Sequence, residues 1–204
     1  MAKEGGEAYK ARRKLIIETA AQVFKDKGYE SASINDIAQQ LDTDRASLYY
    51  YAASKEELLN EVVNIVLDEN LKVAKRISAT SGNPRQRLTA LIEDMISSYD
   101  RNYPFMYVYI QDMTRIAEQN VPWAKETVTK TKKFESMIRT MLRDGQASGH
   151  FRKDVPLILA DFSLFGMINW THTWYKPGGK SSPKEVANAF CTIFFDGFAT
   201  KNAK

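Results

Sequence analysis

"DTDRASLYYYAASKEELL", residues Asp42 to Leu59, places three consecutive tyrosines, Tyr49, Tyr50 and Tyr51, just before a segment that opens a new helix. Successive helical side chains point about 100° apart, so one helix cannot bury all three rings. With Leu48 turned toward a core, Ala52 falls on nearly the same side and Tyr50 points almost directly away. Ala46 lies one turn before Tyr50 on the outer side, flanked by Ser47 and Tyr49, and Arg45 stands at the N-terminal end. Asp44 suits the N-cap of this helix, and Ser54 with Glu57 marks the start of the next. The outer face of the short helix therefore carries small residues, hydroxyls and one long cation.

Upstream, Ser33 and Asp36 open "INDIAQQL", which packs through Ile34, Ile37, Ala38 and Leu41. The link "DTD" has the length for two helices that cross steeply. Such a pair is a helix-turn-helix, whose second helix enters the DNA major groove and reads base edges from its N-terminal half. A small Ala46 lets the backbone approach the bases, tyrosine hydroxyls can donate to phosphates, and Lys55 adds charge at a helix start that already favours anions. The competing reading is an ordinary helical hairpin, with the tyrosines used in packing and Lys55 on a solvated face.

The remaining chain has helical periodicity nearly everywhere and no convincing alternating strand. "ARRKLIIETAAQVFKDKG" sets Ile16, Ala20, Val23 and Phe24 on one stripe and ends at Gly28. A long helix is expected to run from Ser54 to about Ser78. "TSGNP" breaks it, with Pro84 in the first turn of the next helix, and Pro104 and Pro122 mark two further boundaries. Another long helix closes near Gly149. "VPLILADFSLFGMINWTHTWY" is the most apolar helix, and Ser182, Pro183 and Glu185 open the last one. The expected fold is all-α, with about nine helices. A three-helix helix-turn-helix domain would occupy residues 1–55, and a larger helical domain residues 56–204.

Composition narrows the function. Of 204 residues, 44% are hydrophobic and 26% charged, and the net charge of +4 is compatible with a polyanionic partner. Cys191 stands alone, which excludes an intramolecular disulfide or a thiolate zinc site, and His150 and His172 are far apart. The sequence holds no apolar run long enough for a membrane, and its polar start reads as lacking a signal peptide, so a cytoplasmic location is expected. With no Gly-rich phosphate loop, nucleophile elbow or metal spacing, neither enzyme activity nor a metal or cofactor is expected.

Ile16, Ala20, Phe24, "KGYE", Ser33, "INDIA", Leu48-Tyr49 and "SKEELL" stand in the order and spacing found in the TetR family of transcriptional regulators, whose N-terminal domain Arg13 to Leu59 resembles. The resemblance implies phosphate contacts at Ser33, Tyr49, Tyr51 and Lys55, and a base-reading set of Arg45, Ala46, Ser47 and Tyr50. It further implies a repressor that binds double-stranded operator DNA as a homodimer and is released by a small ligand held in the larger domain. The last two helices, about 156–175 and 183–200, would form the dimer surface; plain core burial is the other reading. Two departures stand out. Ala52 sits where the family usually carries phenylalanine, a gap that Tyr51 could fill by turning inward. Asp42 and Asp44 make the turn more acidic than usual, while Lys10, Arg12, Arg13 and Lys14 form either a compensating cluster or a solvated arm.

For the ligand, bulky adaptable side chains accumulate at Tyr99, Met106, Tyr109, Phe134, Met137 and Met141, with ordinary core as the plainer alternative. Asn169, Trp170, Trp174, Tyr175, Pro177, Gly178 and Ser182 resemble the tail of TetR-type regulators of fatty-acid and sterol-side-chain degradation. That implies an acyl-CoA thioester as ligand, with Asn169, Trp170 and Trp174 beside it. Lys125, Lys130, Lys132, Lys133 and Arg139 would meet its phosphates or form a solvated face. A hydrophobic drug or another metabolite is the alternative ligand, and a helical interaction protein without DNA binding the alternative function.

Overall fold

Side chains close to each helix start fix where several helices begin. Ser33, Asn83 and Ser182 each form a reciprocal capping box, with Asp36, Gln86 and Glu185 respectively, and Asp44 accepts a hydrogen bond from the Ser47 backbone N–H. Such caps contribute about 1 kcal/mol each. Pro84 and Pro183 occupy first-turn positions, where a missing N–H costs nothing.

The computed structural model describes residues 2–197. Among them are nine α-helices and one 3-10 turn, with no strand: α1 Ala2–Lys27, α2 Ile34–Gln40, α3 Arg45–Tyr49, α4 Lys55–Ser78, α5 Pro84–Arg101, α6 Phe105–Glu118, α7 Pro122–Ala147, α8 Leu157–Trp170, the turn Thr171–Thr173, and α9 Pro183–Asp196. The fold is all-α. No described helix is long and apolar enough to cross a membrane.

Two compact units emerge. The first takes in the chain up to Val66 together with Pro104–Thr127, and the second Leu67–Tyr103 together with the chain from Val128 onward. In the first, α1 packs on α2 and α6, and α2 packs on α3. Ile16, Ala20 and Phe24 of α1, Ile37 of α2, Leu48 of α3 and Leu58, Leu59 and Val62 of α4 are all buried. The α2–α3 turn passes through Asp42 at φ 47°, the left-handed region that aspartate tolerates better than most side chains.

In the second unit α5 packs chiefly on α9, with a smaller contact to α8. Leu88, Leu91, Ile92 and Ile96 of α5, Leu164 and Ile168 of α8, and Val186 and Ala187 of α9 are buried. The Tyr99 hydroxyl donates to the Ile168 carbonyl at 2.8 Å and the Tyr175 hydroxyl to Asp100 Oδ1 at 2.7 Å. Burial, then that carboxylate, pushes the Tyr175 phenol well above its ordinary range.

Three boundaries differ from the sequence-based expectation. Helix α1 begins at Ala2, well before the apolar stripe. Helix α8 stops at Trp170 instead of running on to Tyr175. The Thr171 hydroxyl donates back to the Met167 carbonyl and the Thr173 hydroxyl to that of Trp170, and the chain tightens into the 3-10 turn. Helix α9 ends at Asp196, followed by Gly197 at φ 81°, and the expected continuation to Thr200 lies outside the described residues.

Candidate nucleic-acid interface and ligand cavity

Helix α3 is only five residues long and has one buried anchor, Leu48. Around it Arg45, Ala46, Ser47, Tyr49 and Tyr50 are exposed, and Ala52 beyond the helix is buried. Tyr50 is 73% exposed, high for an aromatic ring. The outer face is also pre-set. Arg45 Nη2 donates to the Tyr49 hydroxyl at 2.9 Å, and its guanidinium lies 5.3 Å from that ring's centre. At the helix start the Asp44 carboxylate accepts the Ser47 backbone N–H and the Ser47 hydroxyl, each at 2.7 Å. These bonds hold its carboxyl below the usual range, the backbone bond contributing most.

The expected phosphate contacts divide. Tyr49 is exposed beside Arg45, whereas Tyr51 is half-buried, its ring stacked on Tyr9 of α1 at 5.0 Å. Ser33 is exposed, with its hydroxyl used in the α2 capping box. Lys55 departs furthest from expectation. Its ammonium donates to the carbonyls of Tyr29 and Ala32 at 2.8 Å and of Glu30 at 3.3 Å, and it sits 4.3 Å from the Tyr29 ring centre. An ammonium has three donors, and three carbonyls take them. The basic cluster divides as well: Arg13 donates to the Tyr51 carbonyl, to Glu61 and, at 2.8 Å, to Glu57. Lys10 and Lys14 remain exposed.

Sequence periodicity gave no sign of Tyr9 or of the node around Tyr29. There Arg115 of α6 lies 3.9 Å from the Tyr29 ring centre and pairs with Asp112 at 3.0 Å and Glu30 at 3.5 Å. Burial raises the Asp112 carboxyl above its ordinary range. The ring thus has two cations against it, a favourable arrangement for each.

The expected ligand residues do not gather in one place. Met106 and Tyr109 are buried on α6, in the first unit. Tyr99, Phe134 and Met141 are buried and Met137 and Asn169 half-buried in the second unit. Trp170 is 67% exposed and Trp174 46% exposed, each edge-on to a neighbouring ring. None of these nine residues lines the cavity of about 540 Å³ found in the second unit. Its apolar walls include Leu142 (next to Met141), Phe151, Leu157, Met167 and Phe194, and its polar lining includes Arg85, Gln146, His150, Arg152 and Ser163. Phe151 presses so closely on Gly145 that any side chain there would collide with its ring. Phe151 stacks on Phe195 at 5.7 Å, and the Arg85 guanidinium lies 4.8 Å from the Phe195 ring centre. Arg85 also donates twice to Asp196, at 2.7 and 2.9 Å, and Arg152 pairs with Asp154.

Two cations on α7 have carboxylate partners: Lys130 pairs with Asp68 at 2.9 Å and Arg139 with Asp161 at 2.7 Å. Helix α8, by contrast, exposes large apolar side chains at Ile158, Leu159, Phe162 and Trp170.

Residues 16–62 match the family described as bacterial regulatory proteins, tetR family, and residues 81–198 match the tetracyclin repressor-like C-terminal domain. The transcriptional repressor KstR2 of Mycolicibacterium smegmatis is 27% identical over 188 residues, covering 92% of this chain and 90% of its own. The solved structure of the ketosteroid transcriptional regulator KstR2 of Mycobacterium tuberculosis superposes with a TM-score of 0.86 at 27% identity, over 93% of this chain and 96% of that one. The crystal structure of AibR in complex with isovaleryl coenzyme A and operator DNA gives 0.78 at 26% identity, over 92% and 100%.

Proposed function

The chain belongs to the TetR family of bacterial regulatory proteins, and from that premise we propose that it is a homodimeric transcriptional repressor released from its operator by an acyl-CoA thioester of lipid or steroid degradation. As a member of that family it is a DNA-binding regulator and not an enzyme. The reading is carried by the exposed set Arg45, Ala46, Ser47, Tyr49 and Tyr50 around the single anchor Leu48. A major groove about 12 Å wide admits one such helix, and Arg and Tyr supply a base-edge fork and a phosphate donor. In this reading residues 1–55 carry DNA binding and residues 56–204 carry ligand binding and dimerisation. Tyr49 stays a phosphate contact, while Lys55 and Tyr51 hold the domain together.

One five-residue helix cannot contact enough DNA alone, so a two-fold pair facing a near-palindrome is required. The exposed apolar row Ile158, Leu159, Phe162 and Trp170 on α8 supports a partner protomer there. For the ligand, about 540 Å³ lies within the range of small-molecule sites. Apolar walls suit an acyl chain, and Arg85 and Arg152 supply cations for phosphates by exchanging their carboxylate partners. The complex of AibR with isovaleryl coenzyme A and the resemblance to KstR2 favour this class over a drug. Ligand acts only as far as it prefers one spacing of the paired recognition helices over the other.

The test is fluorescence anisotropy on an operator drawn from a randomised duplex pool, followed by titration with acyl-CoAs of graded length, steroid-derived acyl-CoAs, free CoA and free fatty acids. Release by one acyl-CoA class, with free CoA inactive, is the expected result. Release by none of them removes the ligand assignment, and failure to select any duplex removes operator binding.

A further inference from the structure

The family match begins at residue 16, yet α1 reaches back to Ala2, so its first part lies outside the matched residues. That extension grips the recognition helix at two points. Tyr9 stacks on Tyr51 at 5.0 Å with 29° between the ring planes, and meets Tyr50 edge-on at 5.9 Å. Tyr50 and Tyr51 meet edge-on at 5.0 Å, so the three rings touch one another pairwise. One turn along, Arg13 donates to the Tyr51 carbonyl while paired with Glu57 and Glu61. The aromatic contacts of Tyr9 and the Arg13 hydrogen bond therefore hold the chain at the C-terminal end of α3 from the same helix.

What α3 itself can hold is limited. Its anchor is Leu48 and its cap Asp44, whose carboxylate bonds the backbone at Ser47. A side chain 73% exposed at the end of a five-residue helix keeps its rotamers unless another group confines it. Tyr9 and Tyr51 are the rings against Tyr50, and Tyr51 is itself stacked on Tyr9. Edge-on and stacked pairs are the favoured geometries, so removing Tyr9 loosens both partners at once.

We propose that Tyr9 is a positioning residue for base readout: it holds the Tyr50 ring in the direction from which α3 meets the groove, and so makes the α1 extension part of the specificity apparatus. This rests on the reading of α3 as the groove-facing helix.

Binding-site selection and anisotropy with the full-length protein, on selected and random duplexes across a salt series, test it in wild type, Tyr9→Ala, Tyr9→Phe, Tyr50→Ala, Arg45→Ala and the Tyr9→Ala/Tyr50→Ala double variant. Tyr9→Ala is expected to lower the ratio of specific to non-specific affinity about 3- to 10-fold, the size of one or two aromatic contacts. It should relax base preference at the positions that Tyr50→Ala relaxes, leave the salt slope unchanged, and add nothing in the Tyr50→Ala background. Tyr9→Phe, which keeps the ring, should retain the wild-type preference. Equal weakening on both duplexes, or a lowered melting temperature with an unaltered selected sequence, would mean that Tyr9 only stabilises the fold and would overturn the proposal. If Arg45→Ala relaxes the preference while Tyr50→Ala does not, α3 still reads the bases and only the role of Tyr9 falls. If neither does, the reading of α3 falls with it.

Discussion

The proposed recognition surface on α3 and the second compact unit are built on different length scales. Within α3 the contacts are short-range, Asp44 with Ser47 three residues on and Arg45 with Tyr49 four residues on. Only the Tyr50–Tyr51 end is held from a distance, by α1. In the second unit the telling contacts join distant parts of the chain, with Arg85 and Asp196 separated by 111 positions, Tyr99 and Ile168 by 69, and Tyr175 and Asp100 by 75. A surface preset locally can change its side chains without disturbing a core, because exposed substitutions usually move stability by no more than about 0.5 kcal/mol. A cavity whose walls come from distant helices cannot. Its residues serve shape and stability together.

The sharpest way to break that contrast is to strip the reading face. Arg45→Ala and Tyr50→Ala should each lose about 1–3 kcal/mol of specific binding, roughly 5- to 150-fold, and relax base preference. The melting temperature should hold within a degree or two. A large fall in melting temperature for either variant, read by differential scanning fluorimetry, would show that α3 is not locally preset.

In the cavity the opposite coupling is expected. Gly145→Val pushes a side chain into the Phe151 ring, which stacks on Phe195 beneath Arg85. Overpacking of this kind costs about 1–3 kcal/mol. The same variant should lose its acyl-CoA response while still binding operator below its melting temperature. An unchanged response, measured as ligand-induced operator release, would move the ligand out of this cavity.

Lys55→Met tests where the two kinds of construction meet. Without its ammonium the part-buried carbonyls of Tyr29 and Ala32 and the exposed carbonyl of Glu30 lose their common donor, at a cost of about 1 kcal/mol. Stability should fall, and the dependence of operator affinity on salt should stay as in wild type. A phosphate contact would instead reduce the slope by about 0.9. A flatter slope with unchanged stability would restore Lys55 to the DNA surface.

The same length scales explain what could be read from the sequence. Leu48 inward and Tyr50 outward follow from helical phase alone. The capping boxes at Ser33 and Ser182 need only residues three apart, and both formed. Tyr51 is half-buried, but its partner Tyr9 is 42 positions away (51 − 9) and carries no periodic signal. Lys55 was read from its place at a helix start, which says nothing about carbonyls offered by the α1–α2 turn. The cavity is not legible in the sequence for a related reason. Bulky residues on one helix mark burial, but a void is defined by what is missing between helices, so Gly145 and Ser163 shape it as much as Phe151 and Leu142.

The acidic turn supplies the smallest effect. Asp44 stays charged to a lower pH than an ordinary aspartate because Ser47 bonds its carboxylate, so its charge is fully present wherever DNA binding is measured. Two unit charges about 10 Å apart in water repel by about 0.4 kcal/mol, and salt screens part of that. Asp42→Asn removes one negative charge yet keeps a residue suited to the left-handed backbone at φ 47°. Asp44→Asn removes the other and keeps an N-cap of equal quality. Each should tighten binding to specific and random duplexes alike by about twofold at low salt, with the gain fading as salt rises. The melting temperature of Asp42→Asn should stay at the wild-type value and that of Asp44→Asn fall slightly, because the folded state favours the charged Asp44. If neither variant tightens binding, the turn faces away from the phosphates and α3 enters the groove from a different direction than Arg45 and Tyr50 require. If only Asp44→Asn does, the backbone at Asp42 is turned outward and the reading face is confined to α3 itself.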